Sequence, residues 1–84
     1  MNLYELKEGD YVEVENYVTP GVYHKYPAKI LNIRKYTVTT GELVFRVHNM
    51  LAGFTCDVMQ YAQTQRISRK LSEEEATVAL VHLS

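Results

Sequence analysis

One cysteine, two prolines, four glycines and no tryptophan stand in 84 residues, and each shortage excludes something. A lone thiol, Cys56, closes no internal disulfide and builds no Cys-x-x-Cys metal module, so a reducing, cytoplasmic setting is expected. No apolar run approaches the roughly 18–20 residues that a membrane span needs. Met1-Asn2-Leu3-Tyr4-Glu5-Leu6-Lys7-Glu8 lacks the basic n-region and apolar h-region of a secretory signal. There is no glycine-rich phosphate loop, no His-x-x-x-His and no loop of clustered carboxylates, so neither cofactor nor metal is expected. His24, His48 and His82 are dispersed, and the alternation of Phe54, Cys56 and Val58 makes Cys56 a packed thiol rather than a nucleophile. No catalytic constellation emerges, and enzymatic activity is not expected.

What is present is ordinary in amount and uneven in placement. The chain is 46% hydrophobic and 23% charged, with a formal net charge of −1, the balance of one folded domain spanning residues 1–84. Glu5, Glu8, Asp10, Glu13 and Glu15 make the N-terminal part acidic, with Lys7 alone against them. Lys25, Lys29, Arg34, Lys35, Arg46, Arg66, Arg69 and Lys70 fill the middle, against Glu42 and Asp57. Glu73, Glu74 and Glu75 then make the tail acidic again. Such segregation suits a basic surface in the middle of a fold.

Periodicity gives strands first and a helix last. In Tyr11–Val18, Val12 and Val14 alternate with Glu13 and Glu15, the period of a strand wet on one face. Lys7-Glu8-Gly9-Asp10 leads into it as a turn, and Thr19-Pro20-Gly21 ends it. Val22 to Tyr26 reads as a loop rich in Tyr and His. Tyr26–Ile33 is a second strand, which Arg34 to Thr40 could extend. Leu43, Phe45 and Val47 oppose Val44, Arg46 and His48 on a third. After a turn at Asn49 to Gly53, Phe54, Cys56 and Val58 make one face of a fourth, and Gln65-Arg66-Ile67 a short fifth. Four or five short strands at this spacing imply a mainly β fold, a small barrel or sandwich. Ser72 with Glu75 forms a capping box, and Ala76, Ala79, Leu80 and Leu83 follow at helical spacing, predicting a helix over about 73–82.

Gly9-Asp10 with Val12 and Val14, then Tyr26-Pro27-Ala28-Lys29-Ile30 with Ile33, Val44-Phe45-Arg46-Val47 and a closing Ile67 resemble the SH3-like barrel superfamily. Within it the segments look most like Tudor domains, and the Gly-Asp-x-Val-x-Val lead-in looks like KOW-type barrels. The resemblance covers residues 7–68 and implies a five-stranded barrel to which the helix is added. Tudor domains hold methylated Arg or Lys in an aromatic cage, and the resemblance would put Tyr26 and Tyr17 or Tyr23 at two of its positions. The chain departs at His48-Asn49-Met50-Leu51-Ala52-Gly53, where the family tends to carry aromatics, so two cage rings are missing or replaced.

Two binding functions remain. Basic and aromatic residues interleave at Tyr23-His24-Lys25-Tyr26 and Arg34-Lys35-Tyr36, a mixture in which cations hold phosphates and rings stack on bases. A nucleic-acid or nucleoprotein partner is therefore expected at Tyr23, Lys25, Tyr26, Lys29, Arg34, Lys35, Tyr36, Arg46 and Arg66. The alternative is a protein-interaction module, or a small inhibitor or accessory protein of the kind phages and bacteria use. Its partner would be met through Tyr17, Tyr23 and Tyr26 or through Leu80 and Leu83 of the helix. That helix is expected to dock on its own barrel or, failing that, to form a homodimer seam.

Overall fold

A computed structural model describes residues 5–35, 42–60 and 64–83. Five strands and one helix follow in order: β1 (Tyr11–Thr19), β2 (Val22–Lys35), β3 (Leu43–Asn49), β4 (Thr55–Met59), β5 (Gln65–Leu71) and α1 (Glu73–Leu83). All strand pairs are antiparallel, in one sheet of order β4-β3-β2-β1-β5. The mainly β expectation with a C-terminal helix holds. No helix among the described residues is long and apolar enough to cross a membrane.

Local chemistry fixes the turns. Gly9 has φ +92°, a left-handed conformation that glycine takes without a Cβ clash. Asp10 Oδ2 beside it accepts from Lys7 N at 3.0 Å. Gly9 N and Asp10 O then bond to Ile30 O and N, fastening the turn to β2. Asn49 organises the β3–β4 connection, where its Oδ1 accepts from Leu51 N and Ala52 N while its own N and O bond Phe54 and Gly53. The segment in which the Tudor resemblance would put aromatics is therefore a tight turn held by one amide side chain.

The β1–β2 connection differs from the expected loop. Val22 to Tyr26 is strand, paired from Thr19↔Val22 to Val14↔Tyr26, so only Pro20 and Gly21 remain as the loop. The β2–β3 register begins at Ala28↔Asn49 and the β1–β5 register ends at Asn16↔Gln65. Residues 17–25 therefore run past the rest of the sheet as a two-stranded ribbon.

Val12, Val14, Tyr26, Ala28, Ile30, Phe45, Val47 and Val58 meet on the inner face with Leu6, and Ile33, Leu43, Cys56 and Ile67 pack at the margin. Phe54 is not part of this face. It lies before β4 and is 56% exposed, because the Asn49 turn extends to it and holds its carbonyl. The helix buries Ala76, half-buries Ala79 and Leu80, and rests on β2, β1 and β5. Leu83, expected in the buried stripe, is exposed, as are Val78 and Val81. The capping box is formed: Glu75 N donates to Ser72 Oγ and Ser72 N to Glu75 Oε1, both at 3.0 Å. The Ser72 N–H that donates to the carboxylate, helped by the Ser72 hydroxyl and by Arg69, holds the Glu75 carboxyl below its ordinary range.

Candidate functional site

Whether the basic residues share a face depends on strand parity, and two irregularities in the sheet decide it. The β2–β3 register slips between Ile30 and Asn32, leaving Leu31 as an extra, exposed residue. Ile30 opposite Val47 and Ile33 opposite Phe45 then both point into the core although they are three residues apart. Beyond the slip, Asn32 and Arg34 take the outer parity that Lys29 and Lys25 hold before it. The β1–β5 register slips between Glu13 and Val14, passing over Ser68. Arg66, opposite Glu15, and Arg69, opposite Glu13, thereby reach the same outer face. Bulges re-aim side chains in this way and cluster near functional sites.

The outer face carries Lys25 and Lys29 from β2, Arg34 after the slip, Arg46 from β3, and Arg66 and Arg69 from β5. Lys35 pairs with Leu43 and has the parity of the core side, so it is not part of this row. Tyr26 must also be removed from the binding set. It is 7% exposed, with its ring in the core. Its hydroxyl donates to Gln65 Oε1 on β5 at 3.3 Å and lies 3.7 Å from Cys56 Sγ on β4. A ring so enclosed offers no face to a base or a methylated cation, and burial pushes its hydroxyl above its ordinary pKa. Tyr36 lies outside the described residues.

The face divides into two electrostatic halves. Around β1 and β5 every cation has a carboxylate. Arg66 meets Glu15 at 2.8 Å, Arg69 lies 3.6 Å from Glu13 and 3.2 Å from Glu75, and Lys25 lies 3.9 and 3.8 Å from Glu13 and Glu15. Lys70 pairs with Asp10 at 3.5 Å. Glu15 is only 9% exposed between these cations. The Arg66 hydrogen bond, outweighing the effect of burial, holds its carboxyl below the ordinary 4.5.

Across β2, β3 and β4 the balance is different. Their outer face adds Lys29, Arg34 and Arg46 to the Lys25 already paired with Glu13 and Glu15, and Asp57 is the one carboxylate these strands carry. Asp57 accepts from Arg34 at 3.2 Å and from Arg46 at 3.1 Å, holding two guanidinium groups on one anion. Arg46, Asp57, Thr55 and Cys56 line an open hollow of about 320 Å³. Lys29 stands over the Tyr11 ring, 5.7 Å from its centre, and His48 is its cross-strand neighbour on β3. No ion pair reaches Lys29 among the described residues.

Tyr17 and Tyr23 face each other on the projecting ribbon, ring centres 5.5 Å apart and edge to face, with the Arg66 guanidinium 5.4 Å from the Tyr23 ring. Leu80 and Leu83, the helical members of the alternative site, lie half-buried and exposed on α1, the helix that rests mainly on β2. Tyr11, His48 and Arg69 were not among the sequence-derived site residues. Tyr11 was available from its shared parity with Glu13 and Glu15 and His48 from its shared parity with Arg46, whereas Arg69 depends on the slip in the β1–β5 register. Among the described residues no group of three or more His, Cys, Asp or Glu side chains could hold a metal ion. Comparison with protein-family models, with curated proteins and with solved structures finds no match to this chain.

Proposed function

We propose that this chain is a non-enzymatic, cytoplasmic binding module that engages nucleic acid or a nucleic-acid-processing complex through the β2–β3–β4 half of its outer face. One observation carries the reading: Lys29, Arg34 and Arg46 stand together with His48 and Tyr11, against Asp57 alone. A phosphate backbone meets unspent positive charge there, whereas around β1 and β5 it would have to displace Glu13 and Glu15. The reading includes a small SH3-like barrel as the fold. It is supported by the Tyr26 hydroxyl, which links Cys56 and Gln65 on the two strands that end the sheet order.

The test is fluorescence anisotropy with labelled single-stranded and duplex DNA and RNA. Binding through about three phosphate contacts should weaken with a log–log salt slope near −2 to −3. Lys29→Glu with Arg46→Glu should abolish it, and Arg69→Glu should leave it nearly unchanged. Absence of binding at low salt overturns the reading.

A second reading has its own observation. Tyr17, Val18, Val22 and Tyr23 are all exposed on the ribbon, and exposed tyrosines beside an arginine are the side chains that anchor protein interfaces. Under that reading a protein partner is retained by the ribbon, binding tolerates salt, and Tyr23→Ala rather than Lys29→Glu removes it.

A further inference from the structure

Among the described residues the ribbon carries an open sheet edge. Pro27 O accepts from Met50 N on the β3 side, and Ile30 N donates to Asp10 O on the β1 side. Backbone groups alternate sides along a strand, so Tyr23 and Lys25, which share the parity of Pro27, direct their N–H and C=O away from β1. The β2–β3 register starts only at Ala28, so no described strand meets them. On the other side of the ribbon the edge is occupied as far as Tyr17, whose N donates to Thr64 O at 2.7 Å.

We propose that this edge pairs antiparallel with the same edge of a second copy, centred on Tyr23 opposite Tyr23. The fit of the strand to itself favours a second copy. With Tyr23 at the two-fold axis, both Tyr23 backbones face each other and exchange two hydrogen bonds. Lys25 then lies opposite Gly21 of the second copy, so no like charges meet. Pro20 of the second copy reaches Tyr26, one residue short of the point where Met50 closes the edge. A register shifted one residue further inward would bring the loop of one copy onto Met50 of the other. The Tyr17–Tyr23 pairs of the two copies adjoin on one face of the four-stranded ribbon. Four exposed apolar side chains per copy fall far below the roughly 20–30 residues a side of a standard interface, so the dimer forms only at high concentration. Pro27, without an N–H, limits the pairing to this short stretch.

Sedimentation velocity and amide hydrogen exchange on the intact chain, from dilute to about millimolar protein, test this pairing, since such concentrations match an interface of this size. The expected result is a concentration-dependent dimer in which Tyr23 N–H exchange slows by roughly tenfold or more. Tyr23→Phe should keep the dimer, and Tyr23→Pro, which removes an outward N–H, should abolish it. A monomer at every concentration overturns the proposal. So does a dimer that leaves the Tyr23 amide of the unmodified chain unprotected, an outcome that does not depend on whether Tyr23→Pro folds. Nucleic-acid affinity is read separately and decides nothing here.

Discussion

The Tyr26 hydroxyl reaches across the inside of the fold to both ends of the sheet order, and its loss should be felt there. With its hydrogen given to Gln65, the hydroxyl accepts from the Cys56 thiol. Tyr26→Phe leaves the ring in the core but strands both partners, which should cost about 1–2 kcal/mol in urea denaturation. Cys56 should also react faster with a thiol reagent in that variant. Glu15 makes a second residue-scale prediction. Its folded pKa lies below 4.5, so its ionised form contributes stability that is complete above that value. The contribution is lost as pH falls through the lower, folded pKa. Urea midpoints should therefore drop below about pH 4.5, and the drop should be shallower in Glu15→Gln. Parallel curves for the two proteins would remove Glu15 from the account.

At the scale of elements, the strands and helix were legible in the sequence because alternation and capping act locally. Val12 and Val14 against Glu13 and Glu15 identified β1, and Ser72 with Glu75 identified the start of α1. Ser72→Ala should cost about 0.5–2 kcal/mol in chemical denaturation, with the loss of helical signal coming first. Three features were not legible. Val22 to Tyr26 resembles a loop in composition, and it becomes strand because β1 opposite supplies partners through Glu15, Asn16 and Tyr17. Phe54 alternates correctly with Cys56 and Val58 but is claimed by the Asn49 turn. The two bulges leave no local mark at all. Leu31 and Ser68 are unremarkable strand residues, and only pairing with β3 and β1 reveals that each is the extra one. The basic half of the site was therefore visible as a list of residues and invisible as a face. Tyr26 failed for the opposite reason, since its interior parity with Ala28 and Ile30 could be read, while the aromatic resemblance pointed outward.

For the whole molecule, a net charge of −1 conceals a division between a balanced half and a half with positive charge to spare. The strands that carry the excess are those with fewest carboxylates, and Asp57 is placed where a bound phosphate would compete with it for Arg34 and Arg46. Exposed ion pairs contribute little to stability, typically up to about 1 kcal/mol, so Asp57 can be neutralised with the fold intact. The balanced half provides a matched control: Glu75→Gln changes the net charge equally and keeps a capping-box side chain.

The most direct measurement is the nucleic-acid affinity of Asp57→Asn beside that of the unmodified chain and of Glu75→Gln, all at one moderate salt concentration. The account predicts severalfold tighter binding and a steeper salt dependence for Asp57→Asn alone, since only that change releases two guanidinium groups on the half proposed to bind. Equal gains in both variants would reduce the effect to net charge, and no gain in Asp57→Asn would contradict the assignment of this face.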